Sequence, residues 1–378
     1  MAKRRGNNEG SIYLRRDGRW AAALSIPGRR RLTFYGQTRE DVRRKLAGAV
    51  RANDLKELPD SRGLTLGGFL DQWLEEVAKP SVRPWTFEGY EVHVRRHIKP
   101  LLGRIPLDKI EPLHIQTLMN RKLREGLSPK SVRYIRGTLR TALNQAQRWG
   151  LVARNSAALV DGPRVERYEI RPFTPEEART FLASLRGHRL EALYSVALTL
   201  GLRQGEALGL RWQDVDLQLG YLRVEKQLQR IESKFQLVEP KTARSRRTIV
   251  MPPSITAALR AHRELQAAEL GRLGGERNPL DLIFTREDGG PLDGTVVTHQ
   301  FHRLLGQAHL DQRRFHDLRH SCATLLLAQG VPARVVMEIL GHSQISITMD
   351  VYTHVVQDTQ REAMSHMDRL LRRRPGRQ

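Results

Sequence analysis

The hydrophobic period of this chain changes along its length, and that change limits the folds open to it more than any other feature. Between residues 10 and 35 apolar and polar residues alternate; from "GLTLGGFLDQWLEEV" to about residue 155 apolar residues recur every three or four positions. A period of two belongs to a strand with one buried face, and a period near 3.6 to a helix with one buried stripe. One layer cannot satisfy both, so the expected fold is a multidomain α+β protein. The 378 residues suffice for two or three domains.

The alternating segment, "GSIYLRRDGRWAAALSIPGRRRLTFYG", is broken at Asp17-Gly18 and Pro27-Gly28, turn dipeptides that predict a three-stranded meander. Trp20, Leu24, Ile26, Leu32 and Phe34 share one face, and Arg19 and Arg31 fall on the other, where they are candidate DNA contacts. "TREDVRRKLAGAV" opens with Thr38 and Asp41 in a capping-box arrangement, so a helix is available to cover the apolar face. In the helical part, four segments are punctuated by Pro80, Pro100, Pro106, Pro112 and Ser128-Pro129. The last carries Val132, Ile135, Leu139, Leu143 and Ala146 as one stripe. Arg133, Arg136 and Arg140 mark the neighbouring face, a spacing that suits a phosphate backbone or plain solvent.

"DGPRVERYEIRP" then reads as a charged linker, and Thr174-Pro175-Glu176-Glu177 restarts a helix. Beyond it, helices flank strands expected at 221–224, 236–238 and 247–251. The expected divisions are a small sheet-plus-helix domain at 1–62, an all-helical domain at 63–160, a linker at 161–173, and a mixed, mainly helical domain with a small antiparallel sheet at 174–378.

The formal charge is +23 and basic residues run the whole length, which points to a polyanion, nucleic acid before an acidic membrane. No apolar run reaches transmembrane length, and "MAKRRGNNEG" has no apolar core of a secretory signal. A single cysteine, Cys322, excludes an internal disulfide.

Four stretches carry candidate chemistry. In "FHDLRHSCATLLLAQG", His316 and His320 lie four apart, the spacing of a metal pair on a helix. Arg319 between them repels a cation and welcomes an oxyanion. That stretch alone leaves both readings open, beside a plain capped helix. "TLGLRQGEALGLRW" places Arg203 and Glu206 on one turn, where the carboxylate can orient the guanidinium. "EPKTARSRRTIVM" puts Lys241 between two strands, at the expected tip of a hairpin. "ILGHSQISITMDVYTHV" supplies His342 after a helix-ending glycine and Tyr352 ten residues later.

Together these residues resemble the tyrosine recombinases, the phage integrase family. In that family an arginine in an "LRxGE"-like motif, a lysine, an "HxLRH" box, a "GH" and a downstream tyrosine surround one DNA phosphate. Here they stand in order as Arg203, Lys241, His316 with Arg319, His342 and Tyr352. The resemblance implies a DNA strand transferase that breaks and rejoins DNA through a covalent 3′-phosphotyrosine, integrating and excising a mobile element. No metal, nucleotide or other cofactor is implied. Glu206 would be a supporting residue and His320 a structural neighbour. The implied partners are double-stranded DNA at core and arm sites, further copies of the chain in a tetrameric synapse, and an accessory DNA-bending or excision factor. The helical part resembles the core-binding domain, the meander the arm-site-binding domain, and a C-terminal tail helix would dock on a neighbouring protomer. A cytoplasmic, nucleoid-associated place in a bacterial host follows. The alternatives are a type IB topoisomerase-like relaxing enzyme and a DNA-binding protein that does not cut.

Overall fold

Three antiparallel strands begin the fold: β1 (Ser11–Leu14), β2 (Trp20–Leu24) and β3 (Leu32–Gly36), in that order across the sheet. The computed structural model describes residues 10–25, 31–54, 63–166, 168–240, 245–274 and 278–341; the side chains of 51–54 lie outside the description. Trp20, Leu24, Leu32 and Phe34 pack with Val42, Leu46 and Ala49 of α1 (Arg39–Asp54). Thr38 starts that helix by accepting the Asp41 N–H at 3.2 Å. The second face differs from a bare basic surface. Ala21 and Ala23 are buried there as well, because Ala21 pairs with Tyr13 on one side and Tyr35 on the other, and the larger rings shade it. The Arg15 guanidinium lies 5.0 Å above the Tyr35 ring, and Arg19 and Arg31 are exposed at opposite ends of the sheet.

The chain divides into two compact units, Met1–Arg167 and Tyr168–Gln378. In the first, the helical part runs as α2 (Leu66–Trp73), α3 (Lys79–Ser81), α4 (Pro84–Val92), α5 (Lys99–Leu102), α6 (Pro112–Arg124) and α7 (Pro129–Arg148). Pro80 and Pro100 do not separate segments as their sequence positions suggest. A proline has no N–H to give and crowds the carbonyl four residues back. At both sites the preceding turn widens instead, the Lys79 N–H reaching Leu74 O and the Lys99 N–H reaching Val94 O, and the helix carries through. The stripe Val132, Ile135, Leu139, Leu143 and Ala146 of α7 is buried in this part's core. Arg133 and Arg140 are exposed and Arg136 is half-buried, its Nε without a hydrogen-bond partner.

The second unit contains α8 (Pro175–Ser184), α9 (Glu191–Thr199), α10 (Gln204–Leu208), β4 (Val215–Asp216), β5 (Tyr221–Val224), β6 (Gln227–Ile231), β7 (Lys234–Val238), β8 (Arg247–Val250), α11 (Pro253–Arg272), α12 (Gly294–Gln307), α13 (Asp317–Ala328) and α14 (Ala333–Leu340). Its core gathers Phe181, Tyr194, Phe301 and Phe315 among aliphatic residues. Thr174 and Glu177 cap α8 reciprocally, as their spacing predicts. Within 161–173, residues 168–173 are fastened down rather than free. The Tyr168 hydroxyl donates to Asp317 at 2.6 Å, the Arg313 Nε donates to Arg171 O at 3.0 Å, and the Phe173 N–H donates to Ser321 Oγ at 2.8 Å.

The strands on either side of Lys241 do not form the expected hairpin. β7 pairs with β6, whereas β8 pairs with β5 in the sheet β4-β5-β8. Two residues separate β5 from β6, but eight separate β7 from β8. Lys241 therefore falls in sequence between two strands that pair with different partners. The true tip is Glu232-Ser233, both at positive φ (49° and 63°) without glycine, so no turn signal marks it in the sequence. Lys241, His342, Tyr352 and the tail helix lie outside the described residues.

Candidate active site

Arg203 precedes α10, and Glu206 occupies that helix's first turn. The Glu206 carboxylate accepts the Arg203 backbone N–H at 3.1 Å and the Arg203 Nη1 at 2.5 Å. It thereby satisfies one free N–H at the helix start and aims the guanidinium, whose side chain stays 35% exposed. The helix can sit here because Gly209 lets the hairpin backbone approach: a Cβ at this position would lie 2.6 Å from Leu228 N. The same carboxylate, 1% exposed, accepts Arg247 Nη2 at 3.0 Å. Burial pushes the Glu206 carboxyl up, but Arg247 and Arg203 outweigh it, and the net shift is below the ordinary carboxylate value.

Arg319 sits in the first turn of α13 and is almost wholly buried, at 1% exposure. It does not stand beside His316 at the surface. Its Nη1 donates to Gly201 O at 2.7 Å and its Nη2 to Leu340 O at 2.5 Å. Gly201 has φ +62°, and a side chain there would collide with Leu340 and Cys322, so glycine keeps this carbonyl where Arg319 can reach it. Burial and the charge of Arg203 pull the Arg319 pKa down to about 9, which leaves it cationic at neutral pH.

His316 is exposed on the residue scale, yet its ring is crowded. Burial, His320, Arg319 and Arg203 hold its pKa down to about 4, so the free chain carries it neutral. The His320 ring meets it edge-on, 5.0 Å between centroids. Among the described residues no group of three or more His, Cys, Asp and Glu is placed to hold a metal ion. Asp317, fully buried, accepts Tyr168 and the Arg314 guanidinium, at 2.6 and 2.9 Å. Arg314 also lies 3.4 Å above the Tyr168 ring.

The structure thus brings Arg203, Glu206, His316 and Arg319 into one locality, and adds Arg247, which the motifs had not singled out. The available signal was the Arg246-Arg247 pair opening a strand in "SRRTIV". Arg19 and Arg31 belong to the N-terminal sheet, and Arg133, Arg136 and Arg140 to α7, all in the first unit.

The buried neutral histidines give a pH signature. Burial holds His262, 4% exposed and bonded to Ile283 O at 2.9 Å, below 6.5, and it lowers His320 likewise. A histidine whose folded pKa is lowered contributes stability that is whole above 6.5 and lost as pH falls toward the folded value. The unfolding free energy, and with it the urea midpoint, should therefore drop on acidification below 6.5, the free energy by at most about 1.4 kcal/mol per pH unit for each such group. Urea titrations at pH 7.5, 6 and 5 measure it, and His262→Gln should flatten the dependence; an unchanged slope in that variant would remove His262 as a source.

Comparison with known proteins agrees with this architecture. Residues 171–358 match the phage integrase family, and residues 65–123 match the phage integrase N-terminal SAM-like domain. The chain is 34% identical over 360 residues to a XerC-like tyrosine recombinase of Caldanaerobacter subterraneus subsp. tengcongensis, covering 90% of this chain and 92% of that one. It is 27% identical to an integrase of Saccharopolyspora erythraea, with 97% of each chain covered. In fold it is similar to the Tn1549 transposon integrase solved with a circular intermediate DNA, with TM-score 0.65 and 21% identity over 80% of this chain and 99% of that one. It is also similar to the lambda integrase dimer bound to a core site, with TM-score 0.56 and 20% identity over 93% and 96%. With the extended match to the XerC-like recombinase and the family's catalytic region spanning the site, the chain belongs to the phage integrase family of tyrosine recombinases, enzymes of site-specific DNA strand exchange.

Proposed function

We propose that Arg203, Lys241, His316, Arg319, His342 and Tyr352 act on one DNA phosphate, with Glu206 in support, and that the chain integrates and excises a mobile element. One observation carries this reading: the guanidiniums of Arg203 and Arg247 both bond to a single carboxylate, Glu206, and a third cation, Arg319, lies within electrostatic reach of it and of a neutral His316. The surplus of positive charge, with Arg247 and Arg319 held out of water, suits an oxyanion and stabilises the charge that builds on phosphorus oxygens.

Arg203 and Arg319 then bind the non-bridging oxygens, and His342 hydrogen-bonds the phosphate. The Tyr352 oxygen attacks phosphorus while its proton passes to neutral His316. A 3′-phosphotyrosine bond forms, the bond to the 5′ oxygen breaks, and that oxygen takes a proton from Lys241. A 5′-hydroxyl from another strand reverses the step, so the bond energy is conserved without nucleotide. Residues 63–160 grip the core site, with Arg133, Arg136 and Arg140 along the backbone; the half-buried Arg136, with a guanidinium nitrogen unpartnered, supports this. Residues 1–62 read arm sites through the face of Tyr13, Tyr35, Arg15, Arg19 and Arg31, a mixture of flat rings and cations able to enter a groove. Strand exchange proceeds in a tetramer, with the tail helix docked on a neighbour and an accessory bending or excision factor setting direction. No helix among the described residues is long and apolar enough to cross a membrane, and a cytoplasmic, nucleoid-associated place follows from the substrate.

The test is incubation with paired attachment sites from the element's ends, in excess chelator and without nucleotide. Protein-linked 3′ ends and four-way junctions should appear. A chain lacking residues 1–62 should still cleave core half-sites but lose protection of arm sites. Fast relaxation of plasmids without junctions would favour a topoisomerase, and cleavage that needs added zinc or magnesium would sink the arginine-based mechanism.

A further inference from the structure

Arg247 opens β8, and its side chain is only 6% exposed. Each guanidinium nitrogen is committed to a different part of the site. Nη2 donates to Glu206 at 3.0 Å, Nη1 to Ser245 O at 2.9 Å and Nε to Ile339 O at 2.6 Å. Glu206 aims Arg203. Ser245, buried at 4%, follows Lys241 by four residues. Ile339 lies in the last turn of α14, just ahead of Gly341 and His342.

We propose that Arg247 is a positioning residue that holds the Arg203–Glu206 pair, Ser245 just before the strand that follows Lys241, and the end of the helix that precedes His342 in one fixed arrangement. The planar guanidinium is a rigid fork, so three acceptors bound to it cannot shift independently. The end of α14 shows why a fork is needed there. The last carbonyls of a helix lack intrahelical partners, and here two successive ones are taken by buried arginines, Ile339 O by Arg247 and Leu340 O by Arg319. Gly341, next in sequence to His342, then ends the helix left-handed at φ 67°. An ion pair to Glu206 alone would require none of this, because Arg203 already neutralises that carboxylate.

The proposal rests on the functional reading above, in which Lys241 protonates the leaving oxygen. Its experiment compares two half-site substrates, one normal and one with sulfur in place of the 5′ bridging oxygen, a leaving group that needs no proton. Covalent adduct is followed in single turnover with the full chain, and DNA affinity is titrated separately. Arg247→Lys keeps the charge and loses the fork. It should bind DNA within about twofold of the parent yet form adduct on normal DNA about 10²-fold more slowly, the scale of a small misplacement at a reacting centre. Sulfur should recover roughly tenfold of that loss, and Arg203→Lys should recover none. A loss equal on both substrates would make Arg247 a general structural residue and overturn the proposal. Lys241→Ala is the control: if sulfur rescues it but not Arg247→Lys, only the positioning role falls. If sulfur fails to rescue Lys241→Ala, the acid assignment falls and takes the proposal with it. Should Arg247→Lys not fold, Arg247→Gln, a shorter neutral donor that also lacks the fork, is read in the same way; if neither variant folds, Arg247 is a folding residue and the proposal is overturned.

Discussion

Tyr352→Phe should abolish the covalent adduct while leaving DNA affinity within about twofold of the parent chain. The variant keeps the ring and loses only the oxygen that would bond to phosphorus, so the loss should be complete within detection, roughly 10⁴-fold or more, as for removal of other enzymatic nucleophiles. A free phenol has a pKa of about 10 and is a poor nucleophile at neutral pH. The surrounding charge must therefore favour its anion, and on the proposed reading the cluster of Arg203, Arg247 and Arg319 would supply that field. Suicide substrates, in which the released strand diffuses away, measure the adduct directly. An adduct formed by Tyr352→Phe would move the nucleophile to another tyrosine, and the geometry around His316 would then have to be matched to that residue instead.

Arg203→Ala and Arg319→Ala should both cut cleavage by about 10²- to 10³-fold, the cost of removing one preorganised donor from a developing oxyanion. They should differ sharply in stability. Arg203 is 35% exposed, and its carboxylate partner keeps Arg247, so its removal should cost little folding energy. Arg319 is 1% exposed, and its removal leaves Gly201 O and Leu340 O without their donor. That loss of charge-assisted bonds in the interior should cost about 3–5 kcal/mol. Urea unfolding of the two variants beside the parent separates the cases. Equal midpoints for both variants would mean that the two carbonyl bonds contribute nothing to stability, and that Arg319 is free to turn toward DNA without cost.

Much of the local structure could be read from the chain alone. Thr38 with Asp41 and Thr174 with Glu177 predicted helix starts that are present, the stripe from Val132 to Ala146 predicted the buried face of α7, and Arg203 with Glu206 predicted an oriented guanidinium. Each of these depends on partners within one or two helical turns, so spacing carries the information. The order of the motifs along the chain likewise indicated the family without any contact being known.

What tertiary structure decided lies between residues far apart in sequence. Whether Pro80 and Pro100 end helices depended on a widened turn that the surrounding helical core accommodates. Which strands pair around the segment that carries Lys241 was a tertiary matter, and a hairpin tip at Glu232-Ser233 without glycine hid that pairing. Tyr168 finds Asp317 across 149 residues, Arg319 finds Gly201 across 118, and Arg247 finds Ile339 across 92. A buried guanidinium looks the same in sequence as one reaching into solvent, because the acceptors that hold it are backbone carbonyls, which every residue carries and no pattern of side chains reveals.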